Sequence, residues 1–418
     1  MNELIVSNIN KYAKMLKEKG YIQSGYIATK DGDGIYITKS GADLSNVTEE
    51  DVVFVTDKTV ETLEGNFRAA AVILFCAIRQ DKNAGAAAIV DSECILKFSA
   101  KKKTLKPILD DMAQIDGISV KAASANTASE VVTALNGLRN SCFLPNAGAI
   151  VTGRTLDEVF TATLVLDKAC NAEILAENKG GTKPLSFFEA FIEHMVFKLK
   201  YSKKNQNSQK AAESGEKEVK AVEEKPSAIV TDEQKKIAQE IKDAGIRLLD
   251  ENLVQGTWGN IGVRLTADTM LATPSAIDYV MLEPSQMAIV NMTTMEWTGS
   301  NKPTSEKGIH AELMKADASS NATVHTHPFY GCILASMRAP LAVPAKYRDI
   351  LGDVIPCAKY GSPGTGPLVK NTVEAIGNAP ACFMANHGVI VKAKDLNEAF
   401  KICRALEDAC RDYLTDVE

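Results

Sequence analysis

The five residues Val324-His325-Thr326-His327-Pro328 place two histidines two positions apart at the end of an apolar stretch. This pattern predicts a β-strand that ends near the proline, and residues i and i+2 of a strand point to the same face of a sheet. Both imidazoles can then reach one cation, although a His-x-His pair also occurs as an ordinary core or surface pair. The stretch therefore predicts a sheet with a candidate metal site at a strand end.

Two other side chains in the same half of the chain can complete such a site. His387 lies in a turn that runs into a second apolar strand, and Glu306 lies just ahead of a helical pattern. Three neutral imidazoles and one carboxylate are ligands that suit zinc or a similar divalent ion. By itself, Glu306 is also compatible with an acid in the first turn of a helix, where the helix dipole favours it.

Composition bounds the class of protein. The chain has 418 residues, of which 45% are hydrophobic and 24% charged, so it can form two domains with separate cores. A net charge of -6 argues against a general nucleic-acid surface, and no apolar run approaches a membrane span. Nine cysteines without a C-x-x-C pair predict free thiols in a reducing compartment. We expect a cytoplasmic protein that binds neither nucleic acid nor membrane.

The two halves of the chain repeat one another. Asp278, in a Thr-Pro-Ser-Ala-Ile-Asp segment, lies 235 residues after Asp43 in a similar segment. His387, in Cys-Phe-Met-Ala-Asn-His-Gly, lies 240 residues after Ala147 in Cys-Phe-Leu-Pro-Asn-Ala-Gly. A repeat of this length indicates a duplicated domain, whereas solenoid repeats are far shorter.

The boundaries follow from a change in composition. Residues 201–228 are charged and nearly free of apolar side chains, which predicts a flexible linker. We expect a first domain at 1–200 and a second at 229–418. Helical and strand patterns alternate in each, which predicts an α/β fold with a sheet covered by helices. Thr231 and Gln234 predict a capping box, and Ser305 is predicted to cap a helix that runs to about Ala316.

The second half resembles the class II aldolase/adducin family, which includes fuculose-phosphate aldolase and ribulose-phosphate 4-epimerase. The resemblance covers about residues 231–418, and the motifs that carry it occur in the family's order. They are Gly256-Thr257-Trp258-Gly259-Asn260, Thr273-Pro274-Ser275, Lys302-Pro303-Thr304-Ser305-Glu306, His325-Thr326-His327-Pro328 and Asn386-His387-Gly388.

This resemblance implies a mainly antiparallel sheet flanked by helices and a divalent metal site. His325, His327 and His387 would hold the ion, commonly zinc, and Glu306 would be a metal neighbour that becomes the proton-abstracting base. Tyr360 falls in a segment similar to a loop whose tyrosine donates a proton from a neighbouring subunit. His310 matches a residue that supports the ligands, but it also fits an ordinary buried histidine.

The resemblance also implies a pocket for a substrate phosphate. Helix starts and turns provide N–H groups and hydroxyls for an anion, but the same residue types occur in ordinary turns and caps. One position departs from the family, which usually has glycine where Ala276 stands, so a methyl group could crowd the phosphate. The candidate positions are Thr257, Asn260, Ser275, Ala276, Thr304 and Ser305.

The first half lacks the ligands when it is aligned at constant offsets. Glu306 aligns with Ala71, His325 with Val90, His327 with Ser92 and His387 with Ala147. The sequence therefore predicts one metal ion per chain and a degenerate first copy. Because the family forms four-fold rings, we expect a homo-oligomer, either two chains that form a pseudo-four-fold ring or a larger assembly.

The function that the resemblance implies is a metal-dependent lyase. It would cleave a small phosphorylated ketose by a retro-aldol reaction through a metal-stabilised enediolate. The alternatives that keep the same metal centre are a sugar-phosphate 4-epimerase, for which Asp353 is a candidate acid, a dehydratase and a decarboxylase. A non-catalytic, adducin-like interaction protein is the alternative of a different class.

Overall fold

The computed structural model describes residues 3–199, 227–254, 258–275 and 277–416. Its contacts divide the chain into two compact units, Met1–Ile174 with Pro184–Tyr201, and Leu175–Lys183 with Ser202–Glu418. The predicted linker lies outside the described residues except for 227 and 228. Thr257 and Ala276, both expected near a phosphate, also lie outside them.

A seven-stranded sheet forms the centre of the first unit. Its order is β3-β2-β1-β4-β7-β6-β5, and every pairing is antiparallel except that of β5 with β6. The strands are β1 (Tyr26–Asp31), β2 (Gly34–Thr38), β3 (Val52–Val55), β4 (Ala86–Val90), β5 (Lys121–Ala122), β6 (Ser141–Leu144) and β7 (Gly148–Gly153).

Helices cover this sheet through apolar side chains. Ala71, Leu74 and Ile78 recur at helical spacing on one helix and are fully buried in the core with the sheet residues. The helices are α1 (Glu3–Glu18), α2 (Gly65–Gln80), α3 (Glu93–Ala100), α4 (Asp110–Ile115), α5 (Ala128–Leu135), α6 (Leu156–Ala176) and α7 (residues 187–199).

The second unit has an eight-stranded sheet with the order β11-β10-β9-β8-β12-β17-β16-β15. Only β15 and β16 are parallel, and β13 pairs with β14 separately. The strands are β8 (Asn260–Arg264), β9 (Thr269–Ala272), β10 (Ala288–Asn291), β11 (Trp297–Thr298), β12 (Ala322–Thr326), β13 (Leu341–Ala342), β14 (Val354–Ile355), β15 (Cys357–Ala358), β16 (Ala381–Met384) and β17 (Gly388–Ala393).

The helices of the second unit match the sequence patterns closely. The predicted capping box is confirmed, because Thr231 accepts from the backbone of Gln234 at the start of the first of them. These helices are α8 (Asp232–Asp250), α9 (Lys307–Ala316), α10 (Phe329–Met337), α11 (Arg348–Leu351), α12 (Gly366–Ile376) and α13 (Leu396–Thr415). The predicted fold class is confirmed, since each unit has a mainly antiparallel sheet flanked by helices.

The prediction that Ser305 caps α9 was wrong. Glu306 occupies the N-cap position, with φ -96° and ψ 10°, and its side chain makes no cap hydrogen bond. Ser305 is exposed one residue earlier. The side chain of Glu306 therefore does not cap α9 and contacts other buried groups instead.

The two sheets have the same strand order once β11 is set aside. Matching details extend to the turns, where Asn146 and Asn386 both have φ of 57°. The backbone N–H of Ile261 donates to Thr273 Oγ1 at 3.1 Å, and the equivalent bond from Ile27 to Thr38 Oγ1 is 3.0 Å. The repeated sequence thus builds one topology twice.

Strand register corrects the alignment of two ligand positions. His325 pairs with Ile390 across β12 and β17, and Ile89 makes the equivalent pair with Ile150 across β4 and β7. Ile89 is therefore the counterpart of His325, and Asp91 is the counterpart of His327. The aligned residues Val90 and Ser92 were wrong by one position, because the loops between strands differ in length.

Two global features concern chemistry. All nine cysteines are free thiols, and most of them are buried. Among the described residues, no helix is both long enough and apolar enough to span a bilayer.

Candidate metal centre

Three imidazoles converge at the end of β12. His325 is the fourth residue of that strand, His327 follows its end, and His387 occupies the turn before β17. His325 Nε2 lies 2.9 Å from His327 Nε2 and 3.1 Å from His387 Nε2. All three rings are buried, and their ligand nitrogens lie within 4.8 Å of one another. Among the described residues this is the one cluster of three such groups.

A backbone carbonyl fixes which nitrogen of His325 carries the proton. Nδ1 of His325 lies 2.8 Å from the carbonyl oxygen of Val389, so Nδ1 is the donor. Nε2 then presents a lone pair to the two neighbouring imidazoles. Burial lowers the pKa of His325 to about 4, despite the nearby Glu306 carboxylate, so the ring is neutral near pH 7. A neutral ring with Nε2 unprotonated is the form that binds metals.

Gly388 makes room for the imidazoles. A Cβ at this position would lie 2.6 Å from the carbonyl oxygen of Thr326 and 3.0 Å from Cε1 of His325. It would also lie 3.3 Å from Cδ2 of His327. The glycine of the Asn-His-Gly motif therefore allows β17 to approach β12 beneath the ligands.

Glu306 closes the cluster on a fourth side. Its Oε1 lies 3.1 Å from His387 Nε2, and its Oε2 lies 3.4 Å from His325 Nε2. Burial would raise the pKa of this carboxyl, but the adjacent imidazoles and the Asn260 amide hold it well below the usual range. The site thus contains three nitrogen donors and one ionised carboxylate, a set that suits zinc.

A buried chain of hydrogen bonds orients Glu306. Asn260 donates from Nδ2 to Glu306 Oε2 at 2.8 Å and accepts at Oδ1 from His310 Nε2 at 2.5 Å. The hydroxyl of Thr323 lies 2.6 Å from His310 Nδ1. Burial lowers the pKa of His310 to about 4, so the neutral ring donates at one nitrogen and accepts at the other. His310 therefore supports the acid through Asn260.

A second buried acid, Glu407, holds the helix that follows His327. The N-cap of α10 is Pro328, whose side chain cannot accept a hydrogen bond. The carboxylate of Glu407, on α13, instead accepts from the backbone N–H groups of Tyr330 and Gly331, each at 2.9 Å. The sequence analysis missed this residue, although a proline at a cap position signals that a distant acceptor is needed.

The segments expected to bind phosphate lie together. Pro274 forms an isolated bridge with Pro303, and the backbone N–H of Ser275 donates to the carbonyl of Lys302 at 2.9 Å. Ser275 and Ser305 are exposed, whereas Thr304 is buried and accepts from the backbone of Glu306 at 3.2 Å. The side-chain amide of Asn260, another candidate for the phosphate, is engaged with Glu306 and His310.

Tyr360 lies near Arg338, which holds the residue before His387. The guanidinium carbon of Arg338 is 5.9 Å from the centre of the Tyr360 ring. Nε of Arg338 donates to Asn386 Oδ1 at 2.6 Å, and Asn386 directly precedes His387. The role of Tyr360 as a proton donor stays a prediction. Asp353, the candidate acid of an epimerase, is exposed and lies 3.7 Å from Arg348.

The equivalent place in the first unit is filled by other contacts. Asp91, the counterpart of His327, accepts from the backbone N–H groups of Gln23 and Ser24 at 2.5 and 3.0 Å, and from the Ser24 hydroxyl at 2.9 Å. Tyr26, the counterpart of Asn260, packs against Phe67 with ring centres 5.9 Å apart. Ala71, which the constant offset aligns with Glu306, is buried in the core. Turn and core contacts occupy the first unit where the second has its cluster.

Comparisons with known proteins agree with the repeated topology. The model of the family described as "Class II Aldolase and Adducin N-terminal domain" matches residues 8–174 and 239–414. The chain is 30% identical over 174 residues to the 5-methylthioribulose-1-phosphate/5-deoxyribulose-1-phosphate aldolase of Rhodospirillum rubrum, which spans 41% of this chain and 77% of that protein. It is 31% identical over 186 residues to the L-fuculose phosphate aldolase of Escherichia coli O6:H1, which spans 44% of this chain and 85% of that protein.

A solved structure of L-fuculose 1-phosphate aldolase is also similar. It has 28% sequence identity and a TM-score of 0.42, and the match covers 45% of this chain and 88% of that one.

Proposed function

The chain belongs to the class II aldolase and adducin family as a tandem duplication and is an aldolase-type lyase, and from this we propose its substrate and cofactor. We propose that it cleaves a small phosphorylated ketose with the help of a divalent cation. The observation that carries this proposal is the convergence of three imidazole nitrogens and one carboxylate in the second unit. The ketose 1-phosphates named for its relatives are the first substrates to consider.

The donor set supports a divalent ion at this place. Two imidazole nitrogens 2.9 Å apart in a buried site need a shared proton or a shared cation, and the Val389 carbonyl reserves the Nδ1 proton of His325. His325, His327 and His387 would hold the ion, with Glu306 as a fourth neighbour, and zinc suits these ligands. Such an ion would polarise the ketose carbonyl and stabilise the enediolate charge that develops on cleavage.

Glu306 would be the group that accepts a proton in the cleavage step. Both oxygens lie against imidazoles of the cluster, but Asn260 donates to Oε2, so Oε1 would be the oxygen that takes the proton. In a retro-aldol reaction this carboxylate would take the proton of the hydroxyl beyond the breaking carbon–carbon bond. The bond electrons then move towards the ketose carbonyl, and an aldehyde is released.

The two remaining roles are binding of the substrate phosphate and donation of a proton to the enediolate. Ser275, Thr304 and Ser305, with Thr257, would bind the substrate phosphate through hydroxyls and N–H groups near the start of α9. Tyr360, acting from a neighbouring chain of a homo-oligomer, would give a proton to the enediolate carbon and regain one from solvent, while Glu306 releases to solvent the proton that it took. That step releases dihydroxyacetone phosphate if the substrate is a ketose 1-phosphate.

The test is a screen of phosphorylated ketoses with the metal-free chain reloaded with zinc, manganese or cobalt. We expect release of dihydroxyacetone phosphate from at least one ketose 1-phosphate, and loss of that release in His325→Ala and Glu306→Gln. Of these two variants, His325→Ala should also lose metal. Interconversion of pentulose phosphates without cleavage would instead assign a 4-epimerase, and no reaction with any metal would contradict the proposal.

A further inference from the structure

Helix α7 presents its apolar side chains to solvent. Five large hydrophobic residues on it are strongly exposed, at 68%, 69%, 38%, 53% and 58% for Phe187, Phe188, Ile192, Val196 and Leu199. An ordinary surface helix has the opposite arrangement, with its apolar stripe towards the core. An exposed stripe of this kind marks an interaction surface.

The buried side of α7 is held by polar contacts within the first unit. His194 is fully buried and its Nδ1 lies 3.1 Å from the carbonyl oxygen of Gln114. Glu193 accepts from the Gln114 amide at 2.9 Å, and Lys198 donates to the carbonyl of Gly137 at 3.0 Å. The helix is therefore fixed in an orientation that keeps its apolar side outward.

The spacing of the apolar residues on this side of α7 indicates which kind of partner they fit. Phe188, Ile192 and Leu199 are exposed and Met195 is half-buried, and these four residues follow one another at intervals of four, three and four. This is the a/d repeat of a helix that packs along another helix, and no charged residue interrupts it. The stripe thus fits the apolar seam of a partner helix rather than a polar ligand.

The area of the stripe is sufficient for a symmetric pair. If a large apolar side chain has about 150–250 Å² to bury, the exposed fractions correspond to roughly 500 Å² on one chain. A two-fold pair would then bury about 1,000 Å², which is the least area expected of a biological interface and is typical of a weak one. A two-fold axis brings the same patch of each chain together, as closed dimers require.

We propose that α7 is the seam through which the chain pairs with α7 of a second copy. This helix follows the duplicated topology of the first unit, so the pairing is additional to any contact between aldolase-like domains. It gives the degenerate copy an assembly role that needs no metal ligands.

Light scattering on the size-exclusion peak of the full chain tests the proposal. The wild-type mass should be at least twice 45.0 kDa. In Ile192→Glu/Val196→Glu the mass should fall by half, because buried unpaired charges raise the dissociation constant by at least about 100-fold. Ile192→Gln should shift the equilibrium in the same direction by less, which guards against an effect of misfolding.

Val230→Glu is the matched control, since Val230 is 68% exposed outside the helix. It should keep the wild-type mass. A wild-type chain that is monomeric, or an unchanged mass in the double variant with a native circular dichroism spectrum, would overturn the proposal.

Discussion

At the scale of single residues, specific hydrogen bonds hold the side chains of His325 and Glu306 in place. His325 is held in one tautomer by Val389, and Glu306 is held by Asn260, which is itself held by His310. Each of these hydrogen bonds restricts which atom carries the proton in a group that would bind metal or substrate. This is the arrangement in which outer contacts have large effects on activity.

Replacing Asn260 by Asp tests this support directly. The change would put a second carboxylate 2.8 Å from Glu306, so the two acids would share a proton and Glu306 would lose its basic form. We expect kcat to fall about 10- to 100-fold with bound metal retained. Ketose cleavage and metal content measured on one preparation check both parts.

Asn378→Asp, at an exposed turn after α12, is the matched control and should leave kcat unchanged. Wild-type kcat in Asn260→Asp would show that the hydrogen bond to Glu306 does not matter for the reaction.

At the scale of elements, the sequence predicted strands better than it predicted their alignment between copies. The strand expected to end near Pro328 is β12, which ends at Thr326, because an apolar run next to a turn motif defines that end. The constant offset failed at His325 because loops accept insertions while strands do not. Only the ladder, through Ile89 and its partner, shows that a residue was added between the strands.

The start of α10 also belongs to the scale of elements, because a carboxyl on another helix, Glu407 of α13, binds its N–H groups. Burial raises the pKa of Glu407 to about 7, against the N–H groups of Tyr330 and Gly331 and the charge of Arg404, which lower it, while Asp408 raises it. A raised folded pKa means that the folded chain holds a proton between pH 4.5 and 7 that the unfolded chain has released. Stability from this group is therefore complete below pH 4.5 and declines, on the order of 3 kcal/mol, as pH rises through 7.

Glu407→Gln should remove this pH dependence, because the amide stays neutral. We expect the variant to be less stable than wild type at pH 5, where it has lost one acceptor, and to approach or exceed it at pH 8. Thermal unfolding at several pH values checks this. Glu398→Gln, a partly exposed position on the same helix, should show no such trend, and parallel profiles for Glu407→Gln and wild type would refute the assignment.

At the scale of the whole molecule, the duplication separates chemistry from architecture. Both units repeat one strand order, yet the three histidines and Glu306 occur in the second, and in the first Asp91 and Tyr26 make turn and core contacts instead. The repeat and the loss of histidines could be read from the sequence. The new task of Asp91 could not, since it depends on a turn that meets the strand end only in three dimensions.

The two counterparts, His327 and Asp91, therefore give opposite expectations. We predict one metal ion per chain, measured by elemental analysis after saturation with zinc and dialysis. His327→Ala should lose that ion with little loss of stability in the metal-free state. Asp91→Ala should keep it but destabilise the first unit by roughly 1–3 kcal/mol, because three donors from Gln23 and Ser24 lose their acceptor. Two ions per chain, or loss of metal in Asp91→Ala, would mean that the first unit still binds metal and that its carboxylate is a ligand.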